Sequence, residues 1–298
     1  MSSPVSIDEA RGRTARAVVP DASGGATAGG VQPACPTCRV CGDASSLFDA
    51  ATVLQRHAVR YYRCGACGFI FTEAPYWLDE AYSSAMTSID IGPVARCFEG
   101  AQKIAALILA AHDHRGRFLD FGGGYGLFCR RMRDLGFDFL HYDTHCENIF
   151  AKQHAFRMEE GGRFEVVTAF EVVEHLTEPM TVFELILSMT DSFCISTVLV
   201  PDPAPRVTKW WYYGPEHGQH IAFYTKESLR HIAERFGCHL HSVGDMHLLT
   251  RRSVSPRSFR WAMDARLARL MTALLGRRKG VHSLLQRDFE SLSGHRLP

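Results

Sequence analysis

Asp120-Phe121-Gly122-Gly123-Gly124-Tyr125-Gly126 is the stretch on which the fold turns. Arg117 to Phe121 reads as a strand running into it, and Leu127 to Leu135 as a helix running out of it, stopped at Gly136. Glycines at such a turn permit tight curvature and let a ligand approach main-chain groups closely. Upstream, Ala95 to Ala111 places Ile104, Leu107, Ile108 and Ala111 on one helical face. Downstream, strands are expected at Phe137 to Tyr142, Phe164 to Phe170 and Phe193 to Leu199. Helices are expected near Glu147 to Gln153, at Met180 to Thr190 and at Lys226 to Phe236, with closing strands within Cys238 to Leu249. Strands alternating with helices imply an α/β fold with a Rossmann-like, doubly wound parallel sheet.

The loop also discriminates between ligands. A dinucleotide fingerprint spaces its glycines two and then three apart, whereas Gly122, Gly124 and Gly126 are spaced two and two, with Leu127 in the last fingerprint position. Asp120 at the mouth of the loop would repel a pyrophosphate and attract the amino group and sulfonium of S-adenosylmethionine. Asp143 closes the next strand at about the ~20-residue offset where an acidic side chain meets ribose hydroxyls.

Asp120 to Gly126, Asp143 and the segment Thr168-Ala169-Phe170-Glu171-Val172-Val173-Glu174-His175-Leu176 together resemble the class I S-adenosylmethionine-dependent methyltransferases, over residues 95–250. The resemblance implies that Asp120, Gly122, Gly124, Gly126, Asp143, Phe170, Glu171 and His175 line the cofactor and that Glu174 braces its loop. The third strand of that family is not recognisable, because Ala155 to Arg163 is short and irregular.

Five of the ten cysteines lie before residue 70. Cys38-x-x-Cys41 and Cys64-x-x-Cys67 form two knuckles, each followed by glycine at Gly42 and Gly68. Two-residue gaps let both thiolates of a pair reach one tetrahedral ion, so a zinc ribbon is expected. Four thiolates leave no open position, which makes the zinc structural. Arg39, Arg60 and Arg63 stand near the ligands in sequence and would offset their charge. Cys35 offers an alternative to Cys41, and Gly42, matching Gly68, favours Cys41. A zinc ribbon ahead of such a domain resembles methyltransferases of sugar and surface-glycan pathways.

Between the fifth strand and the next helix lies Trp210-Trp211-Tyr212-Tyr213-Gly214-Pro215-Glu216-His217-Gly218-Gln219-His220-Ile221-Ala222-Phe223-Tyr224. It follows the sheet edge at which doubly wound folds carry their sites. Aromatic rings can stack on sugar or base faces, and histidine suits deprotonation of a hydroxyl near neutral pH. His220 or His217 is the expected base, with Glu216 orienting a histidine or binding substrate hydroxyls.

The domain reading is a disordered tail over 1–33, a zinc-binding module over 34–75, a methyltransferase domain over 76–255 and a basic helical extension over 256–298. In the last, Phe259, Met263, Leu267, Leu270, Met271 and Leu274 form a stripe opposite Arg260, Arg266 and Arg269, which would suit peripheral contact with an anionic membrane. A net charge of +1 over 298 residues gives no global attraction to nucleic acid. Met1 to Arg16 has no signal-peptide core and Ile104 to Ala111 is too short to span a bilayer, so a cytoplasmic protein is expected. The leading function is methylation of a small-molecule or glycan acceptor, namely a sugar, nucleotide-sugar or surface glycan. The alternatives are a nucleic-acid methyltransferase, using the basic stretch Arg251 to Lys279 on phosphates, and a non-catalytic zinc-stabilised scaffold. The oligomeric state is not readable.

Overall fold

A computed structural model describes residues 35–82 and 92–297. The tail expected over 1–33 lies outside the described residues. In chain order the elements are β1 (Ser45–Val53), β2 (His57–Cys64), β3 (Ile70–Thr72), the single turn α1 (Leu78–Ala81) and α2 (Pro93–Ala111). There follow β4 (Arg117–Phe121), α3 (Leu127–Asp134), β5 (Asp138–Tyr142), β6 (Val166–Phe170), α4 (Pro179–Met189) and β7 (Ser192–Ser196). The chain continues through β8 (Ala222–Phe223), α5 (Lys226–Arg235), β9 (His239–Val243), β10 (Met246–Thr250), α6 (Pro256–Met263), α7 (Ala265–Arg278) and α8 (Leu285–Ser293).

The larger sheet has the order β5-β4-β6-β7-β10-β9, parallel from β5 to β7 and antiparallel beyond it. Strand order reverses at β4, which has β5 on one side and β6 on the other. The glycine loop leaves the carboxyl end of β4 and therefore sits at the switch point of the sheet. Successive side chains of a strand face opposite ways, and the two cores follow that rule. Phe118, Val166, Cys194 and Leu248 pack with α2, α3, α6 and α7, whereas Leu119, Val167, Ile195 and Leu249 pack with α4, α5 and the cysteine-bearing segment.

The expected helix at Glu147 to Gln153 does not form, apart from a short turn at Lys152–His154. The Ile149 and Phe150 amides donate to the Tyr125 carbonyl, and the Asn148 side chain bonds both the amide and the carbonyl of Ala151. These local bonds outcompete helical ones and lay the segment along the glycine loop. Between β5 and β6 the segment contributes only an isolated parallel bridge, between His141 and Ala155, to the edge of β5.

The C-terminal segment is part of the domain core. Asp264 Oδ1 accepts from the Arg266 and Leu267 amides, capping α7 and dividing the expected helical stripe between α6 and α7. Phe259, Ala262, Met263 and Ala268 are buried against α2. Trp261, Leu267, Leu270 and Leu274 remain exposed. Among the described residues no helix is long and apolar enough to cross a membrane.

On α8, Asp288 takes two hydrogen bonds from Arg133 (2.8 Å each) and one from Arg130 (2.9 Å), and both the Arg133 and Asp288 side chains are buried. Removing one partner of a buried pair strands the other, at a cost of about 3–5 kcal/mol. Asp288→Ala should therefore lower the urea midpoint by a corresponding amount. Burial raises the Asp288 carboxyl, but the bonds and charge of Arg133 and Arg130 outweigh it and hold the group at about 2. Its contribution is complete above the unfolded value of ~3.9 and is lost as pH falls toward 2. The gap between wild type and variant should close over that window.

Candidate cofactor loop, histidine cluster and cysteine centre

The glycine loop is shaped by the strand beside it. Gly122 and Gly123 donate to the Tyr142 carbonyl (2.7 and 3.2 Å), Gly124 donates to Asp143 Oδ2 (2.8 Å), and the His141 Nε2–H donates to the Gly124 carbonyl (2.9 Å). Gly126 adopts φ +84°, and a Cβ there would strike the Asn148 side chain. Gly123 lies directly over Asp120: a Cβ on it would collide with the Asp120 carboxylate and come within 2.7 Å of His141 Cδ2.

Asp120 is buried, with Oδ1 accepting from the Thr168 hydroxyl (3.0 Å) and Oδ2 having no hydrogen-bond partner. Burial above all, and then the charge of Asp143, raises its pKa to about 7 against the Thr168 bond. The Asp143 carboxylate takes three backbone amides, from Gly124, His145 and Cys146 at 2.7–2.8 Å. Oδ2 accepts one of these and keeps acceptor capacity for a hydroxyl. Phe170 ends β6 and packs edge-on to Phe128. Glu171 follows at φ +53°, a left-handed conformation rare outside glycine. Ser196 holds it there, accepting from the Glu171 amide (2.9 Å) and donating to its Oε1 (2.6 Å).

The residues from the two ends of this half of the chain meet across the sheet edge. Glu174 is fully buried, accepts from the Tyr212 hydroxyl through Oε1, and accepts from the Ile221 amide through its carbonyl. His175 Nδ1 lies 3.0 Å from the Gln219 carbonyl and 3.0 Å from the Tyr82 hydroxyl. His220 Nδ1 lies 2.6 Å from the Tyr212 carbonyl, and the His175 and His220 rings are 5.0 Å apart, edge to face. Burial lowers the His175 imidazole to about 4 and holds His220 well below its ordinary value, so both rings are neutral. A carbonyl can only accept, so each ring carries its proton on Nδ1 and a lone pair on Nε2. His217 differs in that its Nδ1 accepts from the Gln219 amide (3.2 Å). Glu216 is exposed.

Trp210 packs against Tyr212 and Tyr213, whereas Trp211 is 76% exposed. The segment is held by the cysteine-bearing sheet, whose order β1-β2-β3-β8 includes a strand from the segment itself. Ile70 and Phe71 pair with Phe223 and Ala222, the Trp77 indole donates to the Gly218 carbonyl (2.7 Å), and the Gln219 side-chain amide donates to the Ala81 carbonyl (2.9 Å). The hydrogen-bonded sheet thus crosses the boundary expected at residue 75.

The sulfurs of Cys38, Cys41, Cys64 and Cys67 all lie within 4.8 Å of one another, with Cys38 to Cys67 at 3.7 Å and Cys41 to Cys64 at 3.4 Å. Zn–S bonds of ~2.3 Å at tetrahedral angles place sulfurs about 3.8 Å apart, so the group has the dimensions a zinc ion requires. The Val40 and Cys67 amides donate to the sulfurs of Cys38 and Cys64 (3.4 Å each), and Gly42 and Gly68 take positive φ in the two knuckles. Cys35 is exposed and outside the group. Of the nearby arginines, Arg60 pairs with Glu73. Arg39 donates to the Thr72 and Thr177 carbonyls and covers the Phe71 ring.

Residues 95–243, from α2 to the end of β9, match the model of a methyltransferase domain family. The chain belongs to that family. Among solved structures it is similar to human N-acetylserotonin methyltransferase in complex with SAM, at 14% identity and TM-score 0.40 over 52% of each chain. It is also similar to an O-methyltransferase family protein from Burkholderia thailandensis, at 15% identity and TM-score 0.39 over 54% of this chain and 58% of that one. Magnesium protoporphyrin IX methyltransferase from Synechocystis PCC 6803, with SAH bound, shows 14% identity and TM-score 0.39 over 58% of this chain and 90% of that one. The chain spans little more than half the length of the first two of these. No curated protein matches it.

Proposed function

We propose that this chain transfers a methyl group from S-adenosylmethionine to a sugar, nucleotide-sugar or surface-glycan acceptor. The observation that carries the reading is the glycine loop at the switch point of the sheet, with the unpartnered Oδ2 of Asp120 buried beneath Gly123. When bound, S-adenosylmethionine supplies an activated methyl group on a cationic sulfur. Asp120 then offers an acceptor to the amino group, Asp143 offers its remaining capacity to ribose hydroxyls, and Phe170, Glu171 and His175 are assigned to the cofactor on the strength of the family resemblance. His220, with its lone pair on Nε2, takes the acceptor proton. His217 and Glu216 lie on the same segment and position the acceptor, and exposed Trp211 suits stacking on a sugar face. The four cysteines hold a structural zinc that fixes this segment through β3 and β8.

Incubation of the protein with methyl-labelled S-adenosylmethionine and a panel of nucleotide sugars, free sugars and short oligonucleotides tests the acceptor class. Label is expected in a sugar-bearing acceptor. Label confined to oligonucleotides, with turnover collapsing as salt rises, would transfer the assignment to nucleic acid. His220→Ala is expected to lower kcat by about 10²–10⁴-fold, the contribution of a positioned general base, with little change in affinity for S-adenosylmethionine.

A further inference from the structure

We infer that Glu174, His175 and His220 form a second metal site, distinct from the cysteine centre and taking one first-row divalent cation. One carboxylate oxygen of Glu174 and one ring nitrogen from each histidine lie within 4.8 Å of one another. Glu174 Oε2 is completely buried and has no hydrogen-bond partner, whereas Oε1 is already engaged by Tyr212. A fully buried carboxylate oxygen without a donor is costly unless a cation or proton satisfies it. Both imidazoles commit Nδ1–H to a backbone carbonyl, of Gln219 and Tyr212. Orienting bonds of this kind surround ligating histidines, fixing the tautomer and leaving Nε2 to bind.

The Tyr212 hydroxyl, itself 3.0 Å from the Thr197 hydroxyl, orients the carboxylate in the same way. Two imidazoles and one carboxylate suit a first-row divalent ion and leave coordination positions open, unlike four thiolates. Burial above all, and then the charge of Glu171, raises the Glu174 carboxyl well above its ordinary value, and the left-handed backbone of Glu171 turns it out of the strand at this edge.

Resting on the methyl-transfer reading, this site changes one role in it: with the ion bound, His220 Nε2 is a ligand and no longer the proton acceptor, and the ion would bind the acceptor hydroxyl and lower its pKa. In the transfer, the acceptor O–H bond breaks with its proton passing to solvent. An O–C bond to the methyl group forms as the methyl–sulfur bond breaks and leaves its pair on sulfur. The substrates favoured by this arrangement carry two adjacent oxygens able to chelate, as the vicinal hydroxyls of a sugar do.

Full-length protein carrying zinc at its cysteines should be titrated with Co²⁺ and followed by calorimetry and visible absorption. Uptake of one further equivalent is expected, with a nitrogen and oxygen ligand-field spectrum and no thiolate charge transfer. His220→Ala, His175→Ala and Glu174→Gln should each weaken it by at least ~100-fold, since loss of an outer orienting partner alone costs 10–100-fold. Tyr212→Phe should fall in that smaller range. Zinc content of the histidine variants controls for folding should Glu174→Gln fail to fold. A wild-type protein that takes up no second ion at millimolar Co²⁺, or uptake indifferent to both histidine changes, would overturn the inference. Titrating the same sample with S-adenosylmethionine separates the two readings, because cofactor binding without a second ion removes only the metal site.

Discussion

Cys64→Ser/Cys67→Ser protein is expected to lose the zinc proposed for the four cysteines and, with it, the folded state of much more than the cysteine-bearing segment. Cys38, Cys64 and Cys67 belong to the same buried cluster as Phe183, Ile186, Phe193, Leu229 and Leu249, which is one of the two cores of the large sheet. The Thr225 hydroxyl that caps α5 also donates to the Cys67 carbonyl (2.6 Å). Structural zinc in small modules contributes on the order of 10 kcal/mol of folding free energy at neutral pH, while a whole domain has ~5–15 kcal/mol in hand. Losing the ion therefore removes most of the margin. Zinc content should fall from about one per chain to near none, and the urea transition followed by tryptophan fluorescence should shift far down or vanish. Trp77 reports it directly, being buried where the sheet holds the aromatic segment. A variant free of zinc with an unchanged transition would show that the cysteines are bystanders.

Gly123→Ala and Asp120→Ala should each weaken S-adenosylmethionine binding by about 100-fold or more while leaving zinc content intact. The new methyl of Gly123→Ala meets the Asp120 carboxylate and His141 at once, so the loop must move off its seat. Loss of Asp120 removes a charge-assisted bond of about 1.5–3 kcal/mol together with its attraction for a cationic ligand. Because burial raises the Asp120 carboxyl to about 7, the group gains its charge as pH rises through that value. Affinity for the cofactor should accordingly increase between about pH 6 and 8 in the wild type and stay flat in Asp120→Asn. Calorimetric titration across that range checks both the magnitude and the sign.

What the sequence disclosed and withheld follows from how local each signal is. The strand, glycine turn and helix around Gly122 to Gly126 are contiguous, and steric demands within a few residues identify them. The two cysteine knuckles are legible for the same reason. Val59 to Arg63 and Phe69 to Thr72 read as strands and form β2 and β3, but β1 was hidden because the turn that joins it to β2 uses Leu54 and Gln55 in the left-handed region, at φ 49° and 61°, with no glycine or asparagine to announce it. The false helix over Glu147 to Gln153 had no sequence mark against it, since the Tyr125 carbonyl that captures its amides lies more than twenty residues earlier. The histidine cluster was the hardest to read. Glu174-His175 and His217 to His220 each looked like a separate loop feature, and only the pairing of β3 with β8 and the Tyr212 bonds bring them together. Tyr82 and Ser196 escaped notice, and Tyr212 and Thr168 were visible only as members of their segments, because a lone hydroxyl carries no pattern.

The most direct test of the central claim is calorimetric titration of zinc-loaded, folded protein with S-adenosylmethionine and, separately, with NAD. The account predicts one site for S-adenosylmethionine, weakened in Asp120→Ala and Gly123→Ala, and no binding of NAD. Folded, zinc-loaded protein that ignores S-adenosylmethionine would contradict it and leave a non-catalytic scaffold as the reading of this fold.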